Sequence, residues 1–274
     1  MAASIELLTT GNMYKASITN SPDEDAEHPV ENIFDDNPNT YWTMADWTSN
    51  VSVYVDLGEQ PTAIGGLAVY LRNYEQITTP RSLGGLYYSL DGIDYPTYIT
   101  GSLSLVDTTG PLRLWDFPTS GTAFPFNFRY WKFVISGAAG NSPEISMIYF
   151  YKRFVPSVGS RLPEENEDIA LVAVDEFPGG QIQARATSFR MQRQFSREFL
   201  LTDTTDRDRI RDAYEDSYGP LYPLILREGD TQADWHLVNF TDTSLPHVQR
   251  SLSGGYSITV DFRTVPVIPW ESRV

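Results

Sequence analysis

The first 150 residues are dominated by short runs in which apolar or aromatic residues return at every second position. Almost nothing in that stretch returns at the spacing of a helix. Val51–Leu57 (VSVYVDL), Gly66–Leu71 (GLAVYL), Leu86–Leu90 (LYYSL), Tyr130–Ile135 (YWKFVI) and Ile145–Tyr151 (ISMIYFY) are such runs. A period of two places alternate side chains on opposite faces, as in a half-buried strand. Turn chemistry separates the runs, including Asp91–Gly92 and the loop-like stretch 137–143. Regularly spaced short strands of this kind build a sandwich or a barrel.

The segment 155–168 (VPSVGSRLPEENED) has two prolines, a glycine and an acidic run, with little to bury. It is expected to link a first domain, residues 1–154, to a second one, residues 169–274. The second part again reads mostly as strands: Ile169–Val174, Gln181–Leu201, Leu221–Arg227, Trp235–Phe240 and Tyr256–Val265. Gln181–Leu201 is too long for an ordinary strand, and its alternation changes phase before Phe189. Thr204–Tyr218 differs. Thr202, Asp203 or Thr204 can cap its start, and Asp206 and Asp208 favour the positive end of the helix dipole. Ile210, Ala213 and Tyr214 form a narrow apolar stripe, and Gly219–Pro220 is a stop signal. One helix is expected there.

Composition excludes several classes of function. The formal net charge is −16 and no stripe of Lys and Arg is present. A nucleic-acid partner is therefore not expected, nor attraction to an anionic membrane surface. The absence of Cys rules out disulfides and thiolate metal sites. No run is apolar enough for a membrane span, and the N-terminus lacks the pattern of a signal peptide. Synthesis in a cytoplasm is expected. The three histidines, His28, His236 and His247, are widely spaced, and no hydrolase or nucleotide-binding motif occurs. No enzyme is expected.

Asn32–Trp42 reads NIFDDNPNTYW, and Val53–Tyr70 reads VYVDLGEQPTAIGGLAVY. Ser89–Asp94 (SLDGID), Arg129–Val134 (RYWKFV) and Pro143–Tyr149 (PEISMIY) follow in order. This series resembles the discoidin, or coagulation-factor C-type, family. The resemblance implies a mainly β fold: a jelly-roll β-sandwich of galactose-binding-like type over residues 1–152. It also implies a structural Ca²⁺ held by Asp35, Asn37, Thr40 and Glu144, beside which a hydrogen-bonded Asx-turn without metal stands as the alternative. The family binds sugars, lipid headgroups or proteins through loops at one end. Carried onto this chain, those loops are 44–49, 72–81 and 113–116. Trp47, Tyr74 and Trp115 would stack on a sugar ring there, and Arg72, Arg81 and Arg113 would fork to hydroxyls or carboxylates. Alternatively the aromatics cover the ends of the core and the arginines pair with neighbouring acids.

Strand, helix, then GPLYPLIL, DWHLVNF and YSITVDF in the second part resemble distal-tail and tail-tip proteins of long-tailed bacteriophages. That resemblance implies a second β-sandwich-type domain with one flanking helix. It further implies a homo-oligomeric ring with other tail proteins, and a place in the virion at the tail tip, contacting host glycan or other baseplate proteins. The alternative is a free-standing carbohydrate-binding, lectin-like protein.

Overall fold

A computed structural model describes residues 5–10, 16–20, 25–35, 37, 39–44, 51–59, 64–74, 83–98, 104–105, 110–117, 126–135, 142–156, 160–161, 166–177, 181–201, 204–229, 235–244, 249–250 and 256–265. The strands, in chain order, are β1 (Glu6–Thr9), β2 (Ser17–Asn20), β3 (Val51–Asp56), β4 (Gly66–Leu71), β5 (Leu83–Ser89), β6 (Thr97–Tyr98), β7 (Ser104–Leu105), β8 (Leu112–Asp116), β9 (Tyr130–Ile135) and β10 (Ile145–Phe154). They continue as β11 (Ser160–Arg161), β12 (Asn166–Phe177), β13 (Gln181–Leu201), β14 (Leu224–Arg227), β15 (Trp235–Phe240), β16 (Gln249–Arg250) and β17 (Tyr256–Thr264). Among the described residues, a single α-helix, α1 (Thr204–Asp216), lies between β13 and β14, and a 3₁₀ turn spans Val30–Phe34. The protein is mainly β, as its alternation requires.

Two antiparallel sheets form. One has five strands in the order β2-β3-β9-β5-β6. The other has twelve, running β11-β13-β17-β15-β14-β1-β10-β4-β8-β7, with β12 on β13 and β16 on β17. In β3 the valines at 51, 53 and 55 are buried and their neighbours half-exposed, which is the pattern of a strand with one wet face. The inner faces enclose Trp42 and Trp131, both fully buried. Trp131 packs on Phe150 and Phe117, with ring centroids 4.9 and 5.6 Å away. Its indole N–H donates to the Phe128 carbonyl at 2.7 Å, which satisfies the one polar atom it carries inward.

The second core lies on the C-terminal side of the large sheet. Phe195, Phe262 and Phe240 occupy paired positions on β13, β17 and β15. Phe262 stands 5.9 Å from Phe195 and 5.3 Å from Phe240. Helix α1 lays its stripe on this core: Ile210 and Ala213 are buried, and Tyr214 meets Phe240 edge-on at 5.1 Å. The helix ends two residues before the expected Tyr218. Tyr218 (φ 52) and Gly219 (φ 66) turn left-handed there, and Gly219 N–H closes on the Tyr214 carbonyl at 2.9 Å.

Strand β1 was not visible as a strand in the sequence, yet it joins the two halves. It pairs with β10 on one side and β14 on the other. Successive strand residues point to opposite faces. Accordingly Leu8 enters the first core and Leu7 the second. Ile225, Trp235 and Leu237 also enter the first core from the C-terminal half. The segment expected as a linker contains β11, which pairs with Glu198 and Phe199, and the start of β12.

The change of phase in Gln181–Leu201 corresponds to a register shift. Ala170 pairs with Met191, but Val172 pairs with Ala186, so β13 bulges between them. β13 pairs with β17 only from Gln194 to Leu201. Among the described residues, Gln181–Arg193 pairs with β12 alone, as a two-stranded ribbon running beyond the sheet.

Candidate functional site

The wet face of the five-stranded sheet presents aromatic rings in a row. Tyr54 on β3, Lys132 on β9 and Tyr87 on β5 are direct cross-strand partners. Their chain neighbours Val53, Val55, Trp131, Phe133 and Leu86 are buried, so these three point outward and are half-exposed. The Lys132 ammonium lies 5.5 Å from the Tyr54 ring centre and 5.1 Å from that of Tyr87, within cation–π range of both. Tyr95 meets Tyr54 edge-on at 5.2 Å. At the end of the same face, Arg129 grips Asp56 through two hydrogen bonds of 2.5 and 2.7 Å and lies over the Tyr130 ring. The Arg129 hydrogen bonds hold the Asp56 carboxyl below its ordinary value of 3.8, outweighing the opposing effect of burial, with further help from the Gly58 N–H.

Of the six residues expected to bind ligand, four are among the described residues. Trp47 and Arg81 lie outside the described residues. Tyr74 is half-buried just after β4. The expected loop at 113–116 is strand β8, paired with β4 and β7. There Arg113 and Trp115 are buried, 5% and 7% exposed, and Trp115 belongs to the first core. Arg72 is buried too, and its guanidinium lies over the Tyr41 ring at 4.3 Å with Nε 3.5 Å from Glu144 Oε2. These three residues pack inward, Trp115 in the first core and Arg72 against an acid, as the alternative reading of such loops has it.

The four residues expected to hold Ca²⁺ are all among the described residues. Asp35, Asn37 and Thr40 form one turn. Asp35 Oδ1 accepts from Asn37 N–H at 2.9 Å and Oδ2 accepts from the Thr40 hydroxyl at 2.6 Å. This is the geometry of an Asx-turn. Glu144 instead faces Arg72. A Ca²⁺ ion requires six to eight oxygens at about 2.3–2.6 Å. Each Asp35 oxygen takes one donor, and a guanidinium, that of Arg72, already stands 3.5 Å from Glu144 Oε2. Among the described residues, no three His, Cys, Asp or Glu side chains gather as a metal site.

Neither described histidine heads a catalytic set. His28 stacks on Tyr41 and pairs with its hydroxyl at 2.7 Å. His236 lies 3.7 Å from Glu228, which is already held by Arg197. The tyrosine row was missed in the sequence because its members sit in separate runs. Once Val51–Leu57, Leu86–Leu90 and Tyr130–Ile135 are strands of one sheet, the outward-facing residues of each become neighbours.

No family model matches the sequence, and no curated protein matches it. Solved structures do. The chain is similar to the CBM32-1 module of a family 31 glycoside hydrolase from Clostridium perfringens, at 18% identity and a TM-score of 0.39, over 51% of this chain and 95% of that one. It is similar to the CBM32-4 module of a family 89 protein from Clostridium perfringens, solved with GlcNAc-α-1,4-galactose, at 13% identity and a TM-score of 0.35, over 53% of this chain and 94% of that one. It is also similar to reduced XRCC1, solved with the catalytic domain of DNA polymerase β, at 15% identity and a TM-score of 0.36, over 54% of this chain and 97% of that one. These likenesses concern the fold of about half the chain and assign it no ligand. The tail-tip resemblance of the second half finds no support in them.

Proposed function

We propose that this chain is a non-catalytic, carbohydrate-binding protein that holds a glycan against the tyrosine face of its five-stranded sheet. The row Tyr54–Lys132–Tyr87 carries the reading. A pyranose ring has an apolar C–H face that stacks on an aromatic ring, while its hydroxyls accept from an ammonium. Tyr54 and Tyr87 stand two strand spacings apart, roughly 10 Å, which suits an extended glycan more than a single sugar. The rings rise from a paired sheet, so little ordering is needed on binding. Glycan-array screening followed by calorimetry tests the reading. Tyr54→Ala and Tyr87→Ala should each weaken binding about tenfold, a difference of about 1.4 kcal/mol, with the melting temperature nearly unchanged. A protein that binds no glycan, or a double variant that binds as well as the parent, would sink it.

A second reading, assembly within a virion tail, is favoured by one observation: the β12–β13 ribbon. Gln181–Arg193 pairs only with β12 among the described residues and runs roughly 35 Å past the sheet. An isolated two-stranded ribbon is marginally stable in water, and contact with a neighbouring subunit in a ring would support it. Light scattering on the purified chain distinguishes the two: a monomer at all concentrations excludes the ring.

A further inference from the structure

The Asp35 turn and Glu144 lie at one corner of the first core. Trp42 and Ile145 exchange backbone hydrogen bonds of 2.8 and 3.0 Å, which fasten the end of the turn beside Glu144. Arg72 enters between them. Its side chain is 7% exposed, its guanidinium covers Tyr41, and its Nε faces Glu144 Oε2 at 3.5 Å. His28 backs Tyr41 at 3.9 Å, nearly parallel. The backbone locks the same pair: Arg72 N–H donates to the Glu144 carbonyl at 2.9 Å, and Glu144 N–H donates to Asn73 Oδ1 at 2.9 Å. The Asn73 amide in turn donates to the Ser142 carbonyl at 2.8 Å.

We infer that Arg72 is the built-in cation of this corner, so that a guanidinium, and not a divalent ion, balances Glu144 and ties it to the Asp35–Trp42 turn. Three arguments converge. A guanidinium keeps its charge at every working pH and needs no bulk concentration to stay in place. A Ca²⁺ ion would have to displace it or share a small volume with it, and like charges at such range repel strongly away from water. Several oxygens that a divalent ion would recruit have internal partners: Asp35 with Asn37 and Thr40, the Thr40 hydroxyl also 2.9 Å from the Asn37 carbonyl, and the Glu144 carbonyl with Arg72 N–H, while Glu144 Oε2 takes no hydrogen bond and is met by the Arg72 charge at 3.5 Å. This inference is independent of the glycan reading, because Tyr54 and Tyr87 lie on the other sheet.

The test uses the full chain stripped of metal. Its melting temperature should be the same in a chelator and in millimolar CaCl₂, whereas occupancy of a native site would raise it by about 5 °C or more. Terbium, a Ca²⁺ surrogate, should show no saturable luminescence excited through the protein's tyrosines and tryptophans. Arg72→Gln should lower the melting temperature, and Arg72→Lys, which keeps the charge, should lower it less. Calcium-dependent melting of the parent, saturable terbium binding, an Arg72→Gln variant as stable as the parent, or a Lys variant worse than Gln would each overturn the inference. If Arg72→Gln does not fold, the calcium and terbium measurements on the parent still decide it.

Discussion

The hydroxyl of Tyr151 donates to Asp116 Oδ1 at 2.6 Å, and it reaches that carboxylate by crossing over Gly66. Gly66 lies on β4, paired with Tyr151 on β10 and with Asp116 on β8. A Cβ at Gly66 would collide with the Tyr151 ring and with the Trp115 carbonyl. The glycine is there because the bond passes through the space a side chain would fill. Gly66→Ala should therefore destabilise the protein by about 1–3 kcal/mol, the usual cost of overpacking, measured by denaturant unfolding. A neutral Gly66→Ala would mean the two strands separate easily.

Tyr151 also predicts an alkaline limit. Burial first, then the nearby Asp116 charge, push its phenol well above the ordinary value of 10.0. The sign follows from linkage: below about pH 10 both native and unfolded chains keep the proton, and above it only the unfolded chain releases it. Stability from this group is thus present below pH 10 and lost as pH rises toward the native value. Tyr151→Phe should be less stable than the parent at neutral pH by about 1 kcal/mol, and its deficit should shrink above pH 10. A deficit that does not change with pH would sink this account.

The same carboxylate belongs to a charge quartet at the seam between the halves. Arg227 Nη1 lies 2.8 Å from Asp116 Oδ2 and 3.4 Å from Glu6 Oε2. Arg153 holds Glu6 through two bonds, of 2.5 and 3.0 Å. Two cations and two anions balance, and Glu6 and Arg227 are buried. Removing one partner strands a charge. Arg227→Met should cost about 3–5 kcal/mol, and Glu6→Gln added to it should recover part of the loss. An additive double variant would show that the two do not interact.

Strand β1 shows why part of this fold escaped the sequence. ELLT is four residues long and buried at every position, so it has no alternation to read. Strand β8 hid for the same reason: Leu112–Trp115 is buried on both faces, and the loop expected at 113–116 was carried over from the family resemblance. By contrast, Val51–Asp56, with one wet face, was legible, as was the helix, whose Ile210 and Ala213 are buried as its stripe requires. The Asp91–Gly92 turn was legible because Gly92 must adopt φ +77. Arg72 was legible as an arginine that could pair with an acid, but the acid itself was not legible. Pairing with Glu144 spans 72 positions of chain, and no local pattern encodes that distance.

Leu7 and Leu8 provide a direct test of the shared strand. They are adjacent in sequence and fully buried in different cores. Leu7→Ala and Leu8→Ala should each cost about 2–5 kcal/mol. Because β1 pairs with both β10 and β14, both variants should shift one common unfolding transition, followed by near-ultraviolet circular dichroism. Two separate transitions, each moved by only one variant, would show that the halves unfold independently despite the common sheet.

Asp56 and Arg129 set the acid limit on the tyrosine face. The arginine's hydrogen bonds hold the Asp56 carboxyl below 3.8, its unfolded value. A depressed carboxylate contributes stability above the unfolded value and loses it as pH falls through the native one. Asp56→Asn should therefore cost about 1 kcal/mol at pH 7, the upper range for a partly exposed pair, together with some loss at the Gly58 turn. Below pH about 4 the parent should lose that advantage, and the two stability curves should converge. The pair lies at the end of β3 and β9, next in line to Tyr54 and Lys132. Its protonation loosens the strand ends that fix the row. Glycan binding should accordingly weaken on acidification below pH 4 in the parent, and Asp56→Asn should show that weaker binding already at pH 7. Binding in the variant that equals the parent's at pH 7 would separate the ion pair from the site.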